Sequence, residues 1–128
     1  MRLLLDSHSF IWFVLDQPQL SDIAREAVIE PANDILISPA TYWEIAIKVS
    51  KQKLDLQASY DDFMNRGIFG NRFEILPILV RHALVLTTMP FHHKDPFDRL
   101  LISQAKVEQI PIVSNDEIFD AYGITRIW

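Results

Sequence analysis

The sequence predicts an α/β protein, a three-layer sandwich with helices on both faces of a central, mainly parallel sheet. Two observations carry that prediction. Short apolar runs bounded by turn residues alternate with helix-periodic segments almost throughout the chain, and parallel strands joined by helical crossovers accommodate such alternation. With 128 residues, 49% of them apolar, there is material for one core and too little for two ordinary domains. Residues 1–128 are read as a single domain without internal repeat, linker or low-complexity segment.

Arg2 to Leu5 is a short apolar run ending at Asp6, a first strand, and Ser7 to Leu15 carries bulky residues suited to a buried helix. Leu20, Ile23, Ala24, Ala27 and Val28 recur at helical spacing behind Ser21 as a cap, and Pro31 closes that helix. Asp34 to Ser38 reads as a buried strand. Pro39 then opens a helix through about Val49, because a first turn does not need the N–H that proline lacks. Lys51 to Leu56 is a polar connection, and Tyr60 to Ile68 an amphipathic helix stopped by Gly67 and Gly70. Phe73 to Leu76 resembles a strand, Leu79 to Leu86 a helix, and Met89 to Lys94 a loop. Pro96 to Gln109 is expected as a long helix, Pro111 to Ser114 as a strand and Ile124 to Ile127 as a short edge strand.

Composition narrows the chemistry. The absence of cysteine fits a reducing compartment and excludes disulfides and thiolate metal sites, leaving oxygen and imidazole as metal ligands. The first apolar run lacks a cleavage pattern and no stretch approaches the roughly 20 apolar residues of a membrane span, so the expectation is a soluble, cytoplasmic protein. A net charge of -5 argues against nucleic acid at first sight. Bound cations are left out of that sum, however, and an acidic cluster holding them presents a positive face to phosphate.

Four acids stand out. In a doubly wound sheet the carboxyl ends of the strands share one edge, where ligand sites form. Asp6 ends the first strand, Asp116 follows the Pro111 to Ser114 strand by two residues, and Asp98 lies in the first turn of the Pro96 helix. Each alone also suits a helix cap or first turn, and Asp95, before Pro96, is the clearest cap while remaining a candidate site residue. Glu44 is expected on an apolar face with Ala40, Trp43 and Ile47, where a carboxylate is costly unless paired. Either a salt bridge to Lys48 or a place in the same crevice answers that cost. Carboxylates so gathered imply raised pKa values or bound cations, and hard oxygen donors select Mg²⁺ or Mn²⁺, as one ion or two.

The strings LLLDSH, YWEIAIK, HHKDPFDRLLISQA and IVSND, in this order and spacing, resemble the PIN domain, and especially the VapC-like toxins of bacterial toxin–antitoxin pairs. The resemblance covers essentially the whole chain. It implies a parallel sheet sandwiched by helices, Mg²⁺ or Mn²⁺ dependence, and hydrolysis of the RNA backbone. It places the family's four acids on Asp6, Glu44, Asp98 and Asp116, with Ser114 supporting the last by hydrogen bonding. Ser7 stands where the family usually has threonine, which keeps the hydroxyl. A cognate antitoxin and a homodimer are further implications.

Other readings use other residues. His8, His92 and His93 suggest zinc only weakly, since adjacent histidines on an extended segment point apart. Lys48, Lys51 and Lys53 form the densest basic stretch, suited to a helix C-terminus or to phosphate contact, and Lys94 and Arg99 are further candidates for RNA. Phe10, Trp12 and Phe13 suit the core or, if exposed, an antitoxin groove. A phosphatase or phosphotransferase would place a nucleophilic aspartate at Asp6, but the second aspartate expected two residues later is His8. A phosphoacceptor receiver lacks its early acid pair and late lysine. A non-catalytic module of the same fold is the remaining alternative, against which the presence of all four acids argues.

Overall fold

Leu3, Leu4 and Leu5 are wholly buried because their strand, β1 (Arg2–Leu5), lies in the middle of the sheet. The computed structural model describes every residue from Met1 to Trp128. The other strands are β2 (Asp34–Ile37), β3 (Glu74–Ile75), β4 (Ile112–Val113) and β5 (Arg126–Ile127). All pair in parallel in the order β3-β2-β1-β4-β5, with Arg2 opposite Asp34 and Leu5 opposite Val113. Strand order therefore reverses between β1 and β4, and a crevice at their carboxyl ends is the expected ligand site of such a sheet.

The helices are α1 (Ser7–Val14), α2 (Asp22–Ile29), α3 (Pro39–Ser50), α4 (Tyr60–Met64), α5 (Val80–Leu86) and α6 (Pro96–Glu108). Strand side chains alternate between faces, and the core divides accordingly. Leu3, Leu5, Ile35 and Ile37 pack with Phe10 of α1, Val28 of α2 and Phe63 of α4. Leu4, Leu36 and Ile112 pack with Leu101 and Ile102 of α6, with Val85 and Leu86 of α5 against the same cluster. Burial of each such side chain contributes roughly 1.5–3 kcal/mol before entropy is counted, so β1, buried on both faces, is held firmly in place. The three-layer α/β/α sandwich is the architecture the sequence predicts.

Three local expectations are corrected. Gly67 does not stop a helix, because α4 runs on into a π-helical turn at Asn65–Phe69. Its role is close approach: a Cβ there would stand 3.0 Å from the Phe10 ring and from a Val14 methyl. Trp43 does not share a buried face with Glu44. The buried positions of α3 are Ala40, Thr41, Glu44 and Ile45, while Trp43 is 60% exposed and meets the Phe97 ring edge-on at 5.2 Å. Finally, a 3₁₀ helix at Glu117–Tyr122 occupies a stretch for which the sequence suggested no element.

Candidate active site

Asp6 follows the last residue of β1 and caps α1, its Oδ1 accepting the Ser9 N–H at 2.9 Å. An aspartate suits this place because its carboxylate satisfies an N–H that the first helical turn leaves free. The residue is only 4% exposed, and burial pushes its pKa up, offset in part by hydrogen bonds from Ser114 and Ser9 and by the charge of His8. Ser9 Oγ in turn donates to the Val113 carbonyl at 3.0 Å, which ties the start of α1 to β4.

Glu44 sits on α3, which opens with Ser38 as cap and Pro39 in the first turn. It is 7% exposed and fully engaged within the protein. Ser7 Oγ donates to its Oε1 at 2.7 Å, and Lys48 Nζ lies 2.9 Å from its Oε2. The pairing with Lys48 anticipated as a structural role for Glu44 is therefore present.

Asp98 lies in the first turn of α6. Asp95 is the N-cap, accepting the N–H groups of Phe97 and Asp98 at 2.9 Å each. The Asp98 carboxyl is pushed up to about 8, first by burial and then by the negative charges of Asp95, Asp6, Glu44 and Asp116. Asp116 caps the 3₁₀ helix through the Ile118 N–H at 3.0 Å. The buried Ser114 hydroxyl accepts the Asp116 N–H at 3.0 Å, so it supports that acid through its backbone.

Asp6, Asp98 and Asp116 line one cleft of about 510 Å³ together with His8, Trp12, Asn115 and Glu117. Glu44 instead lines a recess of about 270 Å³ with Lys48, Lys51, Lys53, Asp95 and Phe97. The oxygen donors fit a hard divalent cation, and the negative charge crowded on Asp98 is what such an ion would neutralise. No three carboxylate or imidazole side chains yet converge as an ion-holding group. Asp6 accepts from Ser9, and Glu44 accepts from Ser7 and pairs with Lys48.

The PIN domain family matches residues 3–124 of the chain. The chain belongs to that family. PIN domains are generally nucleases, which supports hydrolysis of nucleic acid. In fold, this PIN domain is similar to solved structures of VapBC2 from Rickettsia felis bound to a promoter DNA fragment, FitAcB from Neisseria gonorrhoeae, and VapBC-1 from nontypeable Haemophilus influenzae. The first has a TM-score of 0.72 at 19% identity, covering 98% of this chain and 97% of the other. The second has 0.65 at 20%, covering 97% and 95%, and the third 0.66 at 14%, covering 98% and 96%. No curated protein matches the chain in sequence.

Among the basic residues of this PIN domain, Lys51, Lys53 and Lys94 are exposed and Lys48 is partly so. Arg99 is corrected as an RNA contact. It is 5% exposed, its guanidinium donates to the carbonyls of Met89 and Pro90 at 3.1 and 2.8 Å, and it stacks on the Phe91 ring at 3.8 Å. The three histidines do not come together. His8 stacks on Trp12, whereas His92 and His93 pack around Tyr122. Phe10 is buried, Trp12 lies against Trp128, and Phe13 against Phe73. Asn115 and Glu117 in the cleft, and Tyr122 beside His93, were missed; the polar run Asn115-Asp116-Glu117 directly after a strand was the available signal for the first two.

Proposed function

We propose that this PIN domain is an Mg²⁺- or Mn²⁺-dependent endoribonuclease acting as the cytoplasmic toxin of a toxin–antitoxin pair. The observation that carries the reading is the single cleft lined by Asp6, Asp98 and Asp116, in which burial and then the neighbouring acids push the Asp98 carboxyl up to about 8, an environment suited to a cation and costly without one. Asp6, Asp98 and Asp116 would hold the metal, with Glu44 completing the set once released from Lys48, and Asp95 chiefly a cap that adds negative charge.

The reaction is a hydrolysis in which a water oxygen bonds to phosphorus and gives up a proton to solvent, the bridging P–O bond opens and the departing oxygen takes up a proton. The chemistry that one or two cations held there would supply is activation of that water and neutralisation of the charge that builds on phosphate. The protein positions the substrate and the acids. Lys51, Lys53 and Lys94 offer exposed charge to the RNA backbone. Ser7 and Ser114 fix Glu44 and the Asp116 backbone. Exposed Val80 and Leu84 on α5 support a protein partner, an antitoxin or a second copy of the chain.

The test is RNA cleavage by purified protein in Mg²⁺ or Mn²⁺. EDTA is expected to stop it and Mn²⁺ to restore it, and Asp6→Asn and Asp98→Asn are expected to abolish it with circular dichroism unchanged. Wild-type rates from Asp6→Asn, or restoration by Zn²⁺ alone, would overturn the reading. Expression is expected to arrest growth, with relief by a small protein encoded beside it.

A further inference from the structure

Tyr122 Oη is the meeting point of four groups. The N–H groups of His92 and His93 donate to it at 3.1 and 3.2 Å, and Arg99 Nη1 at 3.3 Å, while His93 Nδ1 lies 2.7 Å away. Backbone N–H and guanidinium groups only donate. Tyr122 is buried, so its own hydrogen needs a partner inside the protein, and His93 Nδ1 is the one acceptor among the four. The phenol therefore donates to Nδ1, which must be unprotonated, and a neutral imidazole then carries its hydrogen on Nε2. That nitrogen is buried, has no hydrogen-bond partner, and stands 3.5 Å from Asp98 Oδ2. The separation exceeds that of a formed N–H···O bond. The donor is aimed at the Asp98 carboxyl group and the contact is open.

We propose that His93 is a positioning residue for Asp98: with its tautomer set by Tyr122, it presents Nε2–H to Oδ2 and leaves Oδ1 free for the cation. This inference rests on the metal-dependent nuclease reading. Arg99 anchors the arrangement, since its bonds to Met89 and Pro90 hold the guanidinium against Tyr122. The series Arg99, Tyr122, His93, Asp98 thus runs from the core to the cleft. Such outer contacts orient carboxylate ligands, and their loss commonly costs 10- to 100-fold in metal affinity or activity.

Two measurements on the full chain test the proposal. Nitrogen NMR of the metal-free protein at neutral pH is expected to show His93 with hydrogen on Nε2 and none on Nδ1, and Tyr122→Phe is expected to relax that preference. A wild-type ring protonated on Nδ1 overturns the proposal. Mn²⁺ binding followed by electron paramagnetic resonance is expected to weaken about 10- to 100-fold in His93→Leu, with kcat falling and KM for RNA unchanged. His93→Gln, whose amide N–H can stand in for Nε2–H, is expected to recover most of the loss and serves also if the leucine variant fails to fold. A folded His93→Leu protein that binds Mn²⁺ and cuts RNA like wild type sinks this proposal alone. A wild-type chain that neither binds Mn²⁺ nor cuts RNA sinks the nuclease reading and this proposal with it.

Discussion

Ser7 Oγ donates to Glu44 Oε1 at 2.7 Å, joining the first residue of α1 to the second turn of α3. Both residues are buried, so the hydroxyl stabilises a carboxylate that water scarcely reaches. Ser7→Ala is expected to cost about 1.5–3 kcal/mol, the range for a hydrogen bond to a charged group, read as a shift in the urea midpoint. RNA cleavage is expected to fall roughly tenfold as Glu44 loses its orientation. Ser7→Thr, which keeps the hydroxyl, is expected to stay near wild type in both measurements.

Asp98 links stability and metal affinity to pH. Its carboxyl titrates near 3.8 in an ordinary setting and at about 8 in the folded chain, so between those values the native state holds a proton that the unfolded chain has released. Stability of the metal-free protein should therefore fall as pH rises through that window. The side chain is 23% exposed, and solvent screening reduces the cost of ionisation to on the order of 2 kcal/mol. Asp98→Asn should remove this component, which thermal melts across the window will show. Cation binding by wild type should strengthen with pH and release a proton, visible in calorimetry as a heat that depends on the buffer.

Arg99 is expected to matter for folding more than for RNA. Arg99→Ala leaves the buried Met89 contact and the part-buried Pro90 carbonyl without their donor and removes one of the three donors to the Tyr122 hydroxyl, at a cost of roughly 2–4 kcal/mol. The denaturation midpoint measures it. An unchanged midpoint with weakened RNA binding would return Arg99 to the interface.

Lys51→Ala and Lys53→Ala are expected to weaken RNA binding with the fold untouched, because both side chains are exposed. Each removed phosphate contact should lower the slope of log affinity against log salt by about 0.7 on single strands. Equal slopes in wild type and the double variant would place the RNA elsewhere.

Asp95→Asn separates cap from ligand. Asparagine caps as well as aspartate, so the helix should hold, and loss of the neighbouring charge should lower the Asp98 pKa. Cleavage within a few-fold of wild type is the expected outcome. A loss as deep as that of Asp98→Asn would make Asp95 a ligand.

The order of elements was legible because capping and periodicity act locally: Ser21 caps α2 and Pro39 opens α3 as their positions in sequence imply. The placement of Asp6 and Asp116 by β1 and β4 followed from topology, since both stand just beyond strand ends. Glu44 was rightly sought on a buried face, yet Trp43 was misplaced, because the face α3 turns inward is Ala40, Thr41, Glu44 and Ile45 and Phe97 gave the indole an edge to rest on. Arg99 was misread for a related reason. A charge beside acids in sequence suggests a surface role, and only tertiary contacts reveal the three hydrogen bonds its guanidinium donates inside. The Tyr122 hub joins residues about 30 positions apart and left no local trace.

During synthesis the four acids emerge in the order Asp6, Glu44, Asp98, Asp116, and the ladder that joins the first to the last, Leu5 against Val113, can form only after residue 113 has been made. Such distant parallel pairing is slow to form and leaves the strand edge exposed meanwhile. A nascent chain short of β4 therefore holds Asp6 beside an open edge, with no Asp116 and no closed cleft. Closure of the cleft waits on the pairing of β4 with β1.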